Sequence, residues 1–174
     1  MPITRLNHAV LYVRDLERSR AFYEGVLGFE VLSCVPGQAA FLRAPGSGND
    51  HDLGVFQIGA AAGASTAGRS TVGLYHLGWE VDTLAELARI ASLLAEHGAI
   101  VGASDHFTTK AVYARDPDGI ELEVCWVVPP DRLSDDLVHA SKGRPAPLDL
   151  DREIERYGAH TPGRGSAPAS VAGG

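Results

Sequence analysis

One pattern occurs twice along this chain, and it restricts the accessible folds more than any other feature. A strand-like apolar run around His8 leads into an amphipathic helix that stops at Gly28, and the same succession restarts at His76 and stops at Gly98. The copies are offset by 68 residues at the histidines and by 70 at the glycines. Because strand, helix and stop recur in one order, the pattern predicts a tandem repeat of one supersecondary unit.

Three further short strands are predicted after each helix, separated by clusters of glycine and proline. They span residues 29–35, 38–43 and 51–58 in the first copy and residues 100–104, 110–115 and 120–128 in the second. Each copy is therefore a βαβββ unit, in which one helix covers one side of a sheet. The predicted fold class is α+β.

The composition divides the chain into four parts. We predict a first module at residues 1–60, a linker rich in alanine, glycine and serine at 61–73, and a second module at 74–128. Residues 129–174 form an irregular C-terminal extension, whose prolines are incompatible with a sheet. Within it we expect one short acidic helix at 148–157 and disorder over the last dozen residues. The sequence leaves open whether the extension closes over the sheet or mediates an oligomer.

Charge and cysteine content argue against several kinds of partner. The 174 residues carry a net charge of −7, and no basic stripe is available to neutralise the phosphates of a nucleic acid. The two cysteines do not make a disulfide framework and are expected to be reduced thiols. With no charged-then-apolar leader and no apolar run of membrane-spanning length, we expect a cytoplasmic protein that does not bind membranes.

Three polar residues stand within predicted apolar strands. They are His8, His76 and Glu123, the last in the strand that follows the Asp-Pro-Asp-Gly turn at residues 116–119. A lone histidine in such a run is usually satisfied by a backbone carbonyl, but here the two histidines occupy equivalent places in two repeats. Because a buried carboxylate needs a cation or several donors, the set favours one shared divalent metal ion. Glu121 lies on the same strand face and competes for the carboxylate role.

These residues resemble the vicinal oxygen chelate superfamily, which includes glyoxalases, bleomycin resistance proteins and extradiol dioxygenases. The resemblance covers residues 4–128 and implies paired βαβββ modules that form an open, cup-shaped mixed sheet around one metal ion. The family's spacing of seven residues after Asp116 selects Glu123 over Glu121 as the ligand. The matching segments are residues 7–16, 20–23, 27–29, 75–79 and 116–123.

Within the superfamily, the chain is most similar to the type I extradiol catechol dioxygenases. Glyoxalase-like members use a fourth ligand, usually a glutamate of the first half, and no glutamate lies between Glu30 and Glu80. The remaining three ligands form the facial triad of Fe(II) oxygenases, and Mn(II) fits the same set. The resemblance implies a small aromatic diol and O2 as substrates, a place in aromatic hydrocarbon catabolism, and a homo-oligomer.

The same resemblance assigns catalytic roles to three further residues. His51 would accept a substrate proton and return it, His106 would bond the substrate, and Tyr113 would contact the catechol oxygen. Each has a simpler alternative, respectively a loop histidine, a turn cap and a strand aromatic with its hydroxyl in solvent. Two alternative functions also stay open. One is another enzyme of this scaffold, namely a glyoxalase, epimerase or thiol transferase, and the other is a non-catalytic binding protein of the bleomycin-resistance kind.

Overall fold

The computed structural model describes residues 2–67 and 70–166, which divide into two compact units. The first unit runs to Ala67 and also includes Asp116–Ile120. The second unit runs to Arg115 and continues from Glu121 onward. Each unit contains one four-stranded sheet.

The first unit is a βαβββ module with the strand order β1-β4-β3-β2. Strand β1 runs parallel to β4, and the other neighbours are antiparallel. Its elements are β1 (Ala9–Val13), α1 (Leu16–Gly25), β2 (Glu30–Val35), β3 (Ala39–Arg43) and β4 (Leu53–Gln57).

The second unit repeats this topology, with the strand order β5-β8-β7-β6 and β5 parallel to β8. Even a register irregularity recurs, in β2 between Val31 and Ser33 and in β6 between Ile100 and Gly102. The predicted α+β class and tandem βαβββ modules are thereby confirmed. The elements are β5 (Leu77–Glu80), α2 (Leu84–Glu96), β6 (Ile100–Asp105), β7 (Thr109–Arg115) and β8 (Glu121–Val127).

Both helices begin with a side-chain cap and are followed by a glycine with positive φ. The carboxylate of Asp15 accepts the backbone N–H of Arg18 at the start of α1, and the Thr83 hydroxyl caps α2 in the same way. Gly28 and Gly98 have φ angles of 77° and 61°, a conformation that glycine adopts without a Cβ penalty. Both predicted helices therefore end before the glycines at which the sequence predicted their stops, and both begin at a capping side chain.

Alternation along β8 separates a covered face of the second sheet from a face that carries polar groups. Leu122, Val124 and Trp126 are buried, whereas Glu121 and Glu123 point to the opposite face. Helix α2 packs on the buried side. Its core-facing side chains, each worth about 1.5–3 kcal/mol on burial, are Leu84, Leu87, Ile90 and Leu94.

The extension is more ordered than expected over its described part. The predicted acidic helix is observed as α4 (Leu150–Tyr157), whereas α3 (Asp135–Ala140), capped by Ser134, was not predicted. The Trp126 indole N–H donates to the Thr161 carbonyl at 3.3 Å, so the extension lies against the second sheet. Residues 167–174, on which most of the predicted disorder falls, lie outside the described part. No described helix is long and apolar enough to cross a membrane.

The Asp-Pro-Asp-Gly segment forms the predicted turn and is organised by Asp116. The Asp116 carboxylate accepts the backbone N–H groups of Asp118 and Ile120 at 2.9 and 2.8 Å, and the Tyr23 hydroxyl donates to it at 3.1 Å. Asp118 in turn pairs with Arg14 at 3.0 Å. Burial raises the pKa of Asp116, although these hydrogen bonds act in the opposite direction.

We expect the raised pKa of Asp116 to be visible in the pH dependence of stability. Because the folded state binds this proton more tightly than the unfolded state, Asp116 favours folding at acid pH, and its contribution is lost as pH rises from 3.8 through the folded pKa. Asp116→Asn removes this titration. Urea denaturation of both proteins between about pH 4 and about pH 7 should show the wild type gaining stability relative to the variant on acidification. A constant or reversed difference would contradict the assignment.

Candidate functional site

His76 and Glu123 meet on the polar face of the second sheet. Gly78 lies opposite Glu123 in the parallel register of β5 and β8 and adds no side chain over the carboxylate. The Nε2 atom of His76 is 3.1 Å from Oε2 of Glu123. His76 directly precedes β5 instead of lying in mid-strand as predicted, because the ladder with β8 begins only at Leu77.

This imidazole–carboxylate pair has the donor set and spacing of two neighbouring ligands of one divalent metal ion. Bonds of about 2.0–2.2 Å at a right angle place two donors about 3 Å apart. The second ring nitrogen of His76, Nδ1, is buried and has no hydrogen-bond partner among the described residues. The second unit therefore offers two donors, the His76 imidazole and the Glu123 carboxylate, at a spacing that one metal ion could bridge.

Tyr113 and His106 extend the pair into a chain of four side chains. Tyr113 lies directly opposite Glu123 in the β7–β8 register, and its hydroxyl is 3.2 Å from Oε1 of Glu123. Nε2 of His106 lies 2.8 Å from the same hydroxyl. The structure thus brings together His106, Tyr113, Glu123 and His76, all of which were named from the sequence.

The donor and acceptor capacities of these side chains determine which atoms carry the protons. An ionised carboxylate only accepts, so the single hydroxyl hydrogen of Tyr113 is donated to Glu123. The nitrogen of His106 that faces Tyr113 must then carry hydrogen and donate to the phenolic oxygen. Burial, followed by the Glu123 charge, raises the pKa of Tyr113 to about 12. Tyr113 is therefore a neutral donor at physiological pH.

Glu121, the alternative carboxylate, is engaged elsewhere. Its Oε1 pairs with the Arg115 guanidinium at 2.8 Å, in an ion pair at the end of the β7–β8 hairpin. Glu123 pairs with no arginine or lysine of the part of the chain that the structure describes, and contacts His76 and Tyr113 instead. The choice of Glu123 as a metal ligand stays a prediction.

In the first unit, His8 and His51 are neighbours. Their ring centroids are 4.5 Å apart, and Phe41 packs edge-on against His51 at 5.2 Å. Phe56 lies 5.8 Å from Phe41, so an aromatic wall adjoins the two imidazoles. The prediction of a buried, mid-strand His8 was wrong. It is exposed and precedes β1, because pairing with β4 begins at Ala9 and leaves the preceding residues without a ladder partner.

Asp52 holds the loop that carries His51, a role that was not predicted from the sequence. Its buried carboxylate accepts hydrogen bonds from the Ala44 backbone N–H, the Ser47 hydroxyl and the Asn49 amide at 2.6–2.9 Å. The Asn49 amide also donates to the Asn7 carbonyl at 2.7 Å, beside His8. The cluster of Asp, Asn, Ser and Gly at residues 46–52 is the signal that points to such a loop.

Gly54 occupies the place in the first unit that Glu123 occupies in the second. Gly54 pairs with Val10 of β1 and Phe41 of β3, just as Glu123 pairs with Gly78 and Tyr113. The first repeat therefore offers no carboxylate at the strand position where the second repeat has one. Within either unit, no three His, Cys, Asp or Glu side chains of the described residues are grouped closely enough to hold a metal ion.

The fold agrees with comparisons to known proteins. Residues 5–124 match the family described as the Glyoxalase/Bleomycin resistance protein/Dioxygenase superfamily, and the chain belongs to that superfamily. Solved structures share the fold. A glyoxylase/bleomycin resistance protein/dioxygenase domain from Frankia sp. EAN1pec has a TM-score of 0.59 at 23% identity, covering 71% of this chain and 92% of its own. Lactoylglutathione lyase from Agrobacterium tumefaciens has a TM-score of 0.54 at 24% identity, with coverages of 72% and 95%.

A relative of known name is more similar in sequence. The chain is 36% identical over 121 residues to a protein named catechol-2,3-dioxygenase from Bacillus subtilis (strain 168). The match covers 70% of this chain and 41% of the relative, so the chain spans less than half of the relative's length.

Proposed function

We propose that this protein is an Fe(II)-dependent extradiol dioxygenase that cleaves the ring of a catecholic substrate with O2. The observation that carries the proposal is the chain from His106 through Tyr113 and Glu123 to His76, which joins two candidate ligands to two donors. The similarity to a protein named catechol-2,3-dioxygenase supports the same reaction class.

The proposed ligands are His8, His76 and Glu123. Two imidazoles and one carboxylate are a ligand set that suits Fe(II) and also fits Mn(II). Three protein ligands leave coordination positions open for the reactants. A metal ion held by these residues would supply Lewis-acid and redox chemistry for a diol and dioxygen. The match of His8 and His76 between repeats supports a shared role for the two histidines.

Tyr113 and His106 supply hydrogen-bond donors to the substrate. The neutral Tyr113 hydroxyl can turn from Glu123 to a nearby oxygen atom at little cost, because His106 continues to donate to its phenolic oxygen. Such preorganised donors stabilise negative charge as it develops on reacting oxygens. Burial keeps the Tyr113 proton in place, since its pKa is raised to about 12.

His51 is the proposed acid–base residue. A neutral imidazole can accept a phenolic proton and return it later in the reaction. The Asp52-centred loop holds His51 beside an aromatic wall of Phe41 and Phe56, which suits a flat aromatic substrate.

Gly54 favours the dioxygenase over a four-ligand glyoxalase. A glyoxalase-type fourth carboxylate would stand at the position equivalent to Glu123, and Gly54 has no side chain there. A Cβ atom at Gly54 would already contact Phe56, Val10 and Phe41 at 3.5–3.6 Å. The position is therefore closely surrounded by apolar groups and not suited to a charged ligand.

The test is anaerobic loading with Fe(II), followed by a panel of catechols and then air. We expect about one iron per chain and a yellow ring-fission product that forms only when oxygen is admitted. An iron-loaded protein that forms no such product from any catechol would refute the proposal. Turnover of a glutathione hemithioacetal without oxygen would instead assign the chain to the glyoxalase class.

A further inference from the structure

A buried charge cluster lies on the covered face of the second sheet, opposite the face that carries Tyr113 and Glu123. Lys110 is fully buried, and its ammonium group lies 2.5 Å from Oδ1 of Asp105 and 2.8 Å from Oε2 of Glu153. The register places Lys110 beside buried Trp126, whereas the next-but-two residue, Tyr113, points to the other face. Residues with this charge are rarely buried unless they are paired.

The cluster joins the C-terminal extension to the strands of the sheet. Glu153 belongs to α4, and Tyr157 on the next turn places its ring 5.6 Å from the Lys110 ammonium and 5.3 Å from the ring of Trp126. The backbone of Ala146 exchanges two hydrogen bonds with Asp105, at 2.8 and 2.9 Å. The extension thus contacts the end of β6 through both backbone and side chains.

Asp105 also begins a strained turn that carries His106. Its Oδ1 atom, which binds Lys110, accepts the backbone N–H of Phe107 at 2.7 Å. Phe107 has a φ angle of 66°, the one positive φ at a non-glycine position among the described residues. A bulky residue rarely adopts this conformation, and such strain persists only where surrounding contacts hold it.

We infer that Lys110, Asp105 and Glu153 are positioning residues, which hold the turn at residues 105–109 so that His106 donates to the Tyr113 hydroxyl. One carboxylate oxygen binds both the buried cation and the strained peptide, so a change at the cation is transmitted to the turn. The extension would then be part of the functional site, because α4 supplies the second carboxylate that fixes Lys110. This inference rests on the proposed function only for its effect on turnover.

Glu153→Gln in the full chain tests the link, with Glu155→Gln as the matched control on the exposed side of the same helix. Asp105→Asn provides a second, nearly isosteric route to weaken the cluster. The primary readout is the NMR signal of the His106 imidazole in histidine-labelled protein, assigned by comparison with His106→Gln. We expect both cluster variants to shift this signal and to weaken its coupling to Tyr113, and the Glu155→Gln control to leave it unchanged.

The variant Phe107→Gly distinguishes an effect on the position of His106 from a general loss of stability. Because glycine adopts positive φ without strain, Phe107→Gly added to Glu153→Gln should return the His106 signal toward that of wild type. For catechol cleavage, a displacement of about 1 Å costs up to about 100-fold in rate, so we expect kcat to fall about tenfold in the single variants with little change in KM.

Unchanged His106 signals in both Glu153→Gln and Asp105→Asn would overturn the inference. A shift that Phe107→Gly fails to reverse would also count against it, because the strained turn would then not be the link. The NMR readout does not depend on turnover. If the wild type cleaves no catechol, the proposed function fails while the positioning of His106 is still measured.

Discussion

Glu123→Ala is expected to remove bound iron and ring cleavage together. The substitution deletes one of the three proposed ligands and leaves His76 without its 3.1 Å partner and Tyr113 without its acceptor. Loss of an outer-shell partner already costs about 10–100-fold in affinity or activity, so loss of a ligand should lower the rate by more than about 100-fold. Iron per chain and oxygen-dependent catechol cleavage are the measurements.

Glu121→Ala is the matched control for this prediction. Glu121 stands two residues earlier on the same strand face, and its partner is the exposed Arg115. Iron content and turnover should stay close to wild type in this variant. If Glu121→Ala lost iron while Glu123→Ala kept it, the ligand assignment would be reversed.

His51→Ala separates metal binding from proton transfer. Because His51 is assigned to acid–base chemistry, the variant should keep its iron while kcat falls by about 100-fold or more, the usual contribution of general acid–base catalysis. Loss of iron from His51→Ala would contradict this role. Together, Glu123→Ala and His51→Ala separate metal binding from acid–base catalysis, and Glu121→Ala serves as their control.

Lys110→Met is expected to have the largest effect on stability. It leaves the buried carboxylate of Glu153 and the largely covered carboxylate of Asp105 without a cation, and breaking a buried ion pair costs about 3–5 kcal/mol. Urea denaturation at neutral pH measures the loss. The chain's other lysine, Lys142, is exposed, and Lys142→Met should change the free energy of unfolding by less than about 0.5 kcal/mol.

A second comparison tests whether the loss in Lys110→Met comes from uncompensated charge. The triple variant Lys110→Met, Asp105→Asn, Glu153→Gln contains no charge in the cluster and should recover much of the stability. A Lys110→Met protein as stable as wild type would show that the cluster does not hold the extension against the second sheet.

Local signals in the sequence were sufficient to predict the repeat and the part of the candidate site that lies in the second unit. Caps and glycine stops mark α1 and α2, and the period of two along β8 separates Glu123 from buried Val124. The tight turn at residues 116–119 brings Tyr113 opposite Glu123, so their contact follows from strand geometry once the turn is recognised. His106, Tyr113 and Glu123 therefore fall into one hydrogen-bonded chain, and His76 lies 3.1 Å from the Glu123 carboxylate.

Contacts between distant segments were not predictable in this way. In the sequence, Lys110 looks like an ordinary strand residue. Its pairing with Asp105 and Glu153 depends on the packing of α4, which the sequence pattern does not predict. The positive φ of Phe107 has no sequence signal, because glycine is the usual residue in that conformation. His8 was misplaced because apolar residues continue the strand pattern before Ala9, where no ladder partner exists.

Gly54 has an evolutionary consequence. Two copies of one module, alike in strand order down to the irregularity in their second strands, differ at the strand position that holds Glu123 in one copy and Gly54 in the other. The second copy has a carboxylate at this position, and the first has a glycine bordered by Phe56, Val10 and Phe41. Gene duplication would thus have produced a division of labour, in which each half supplies one histidine of the proposed ligand set, the second half adds the carboxylate and the first half adds the aromatic wall beside its own histidine.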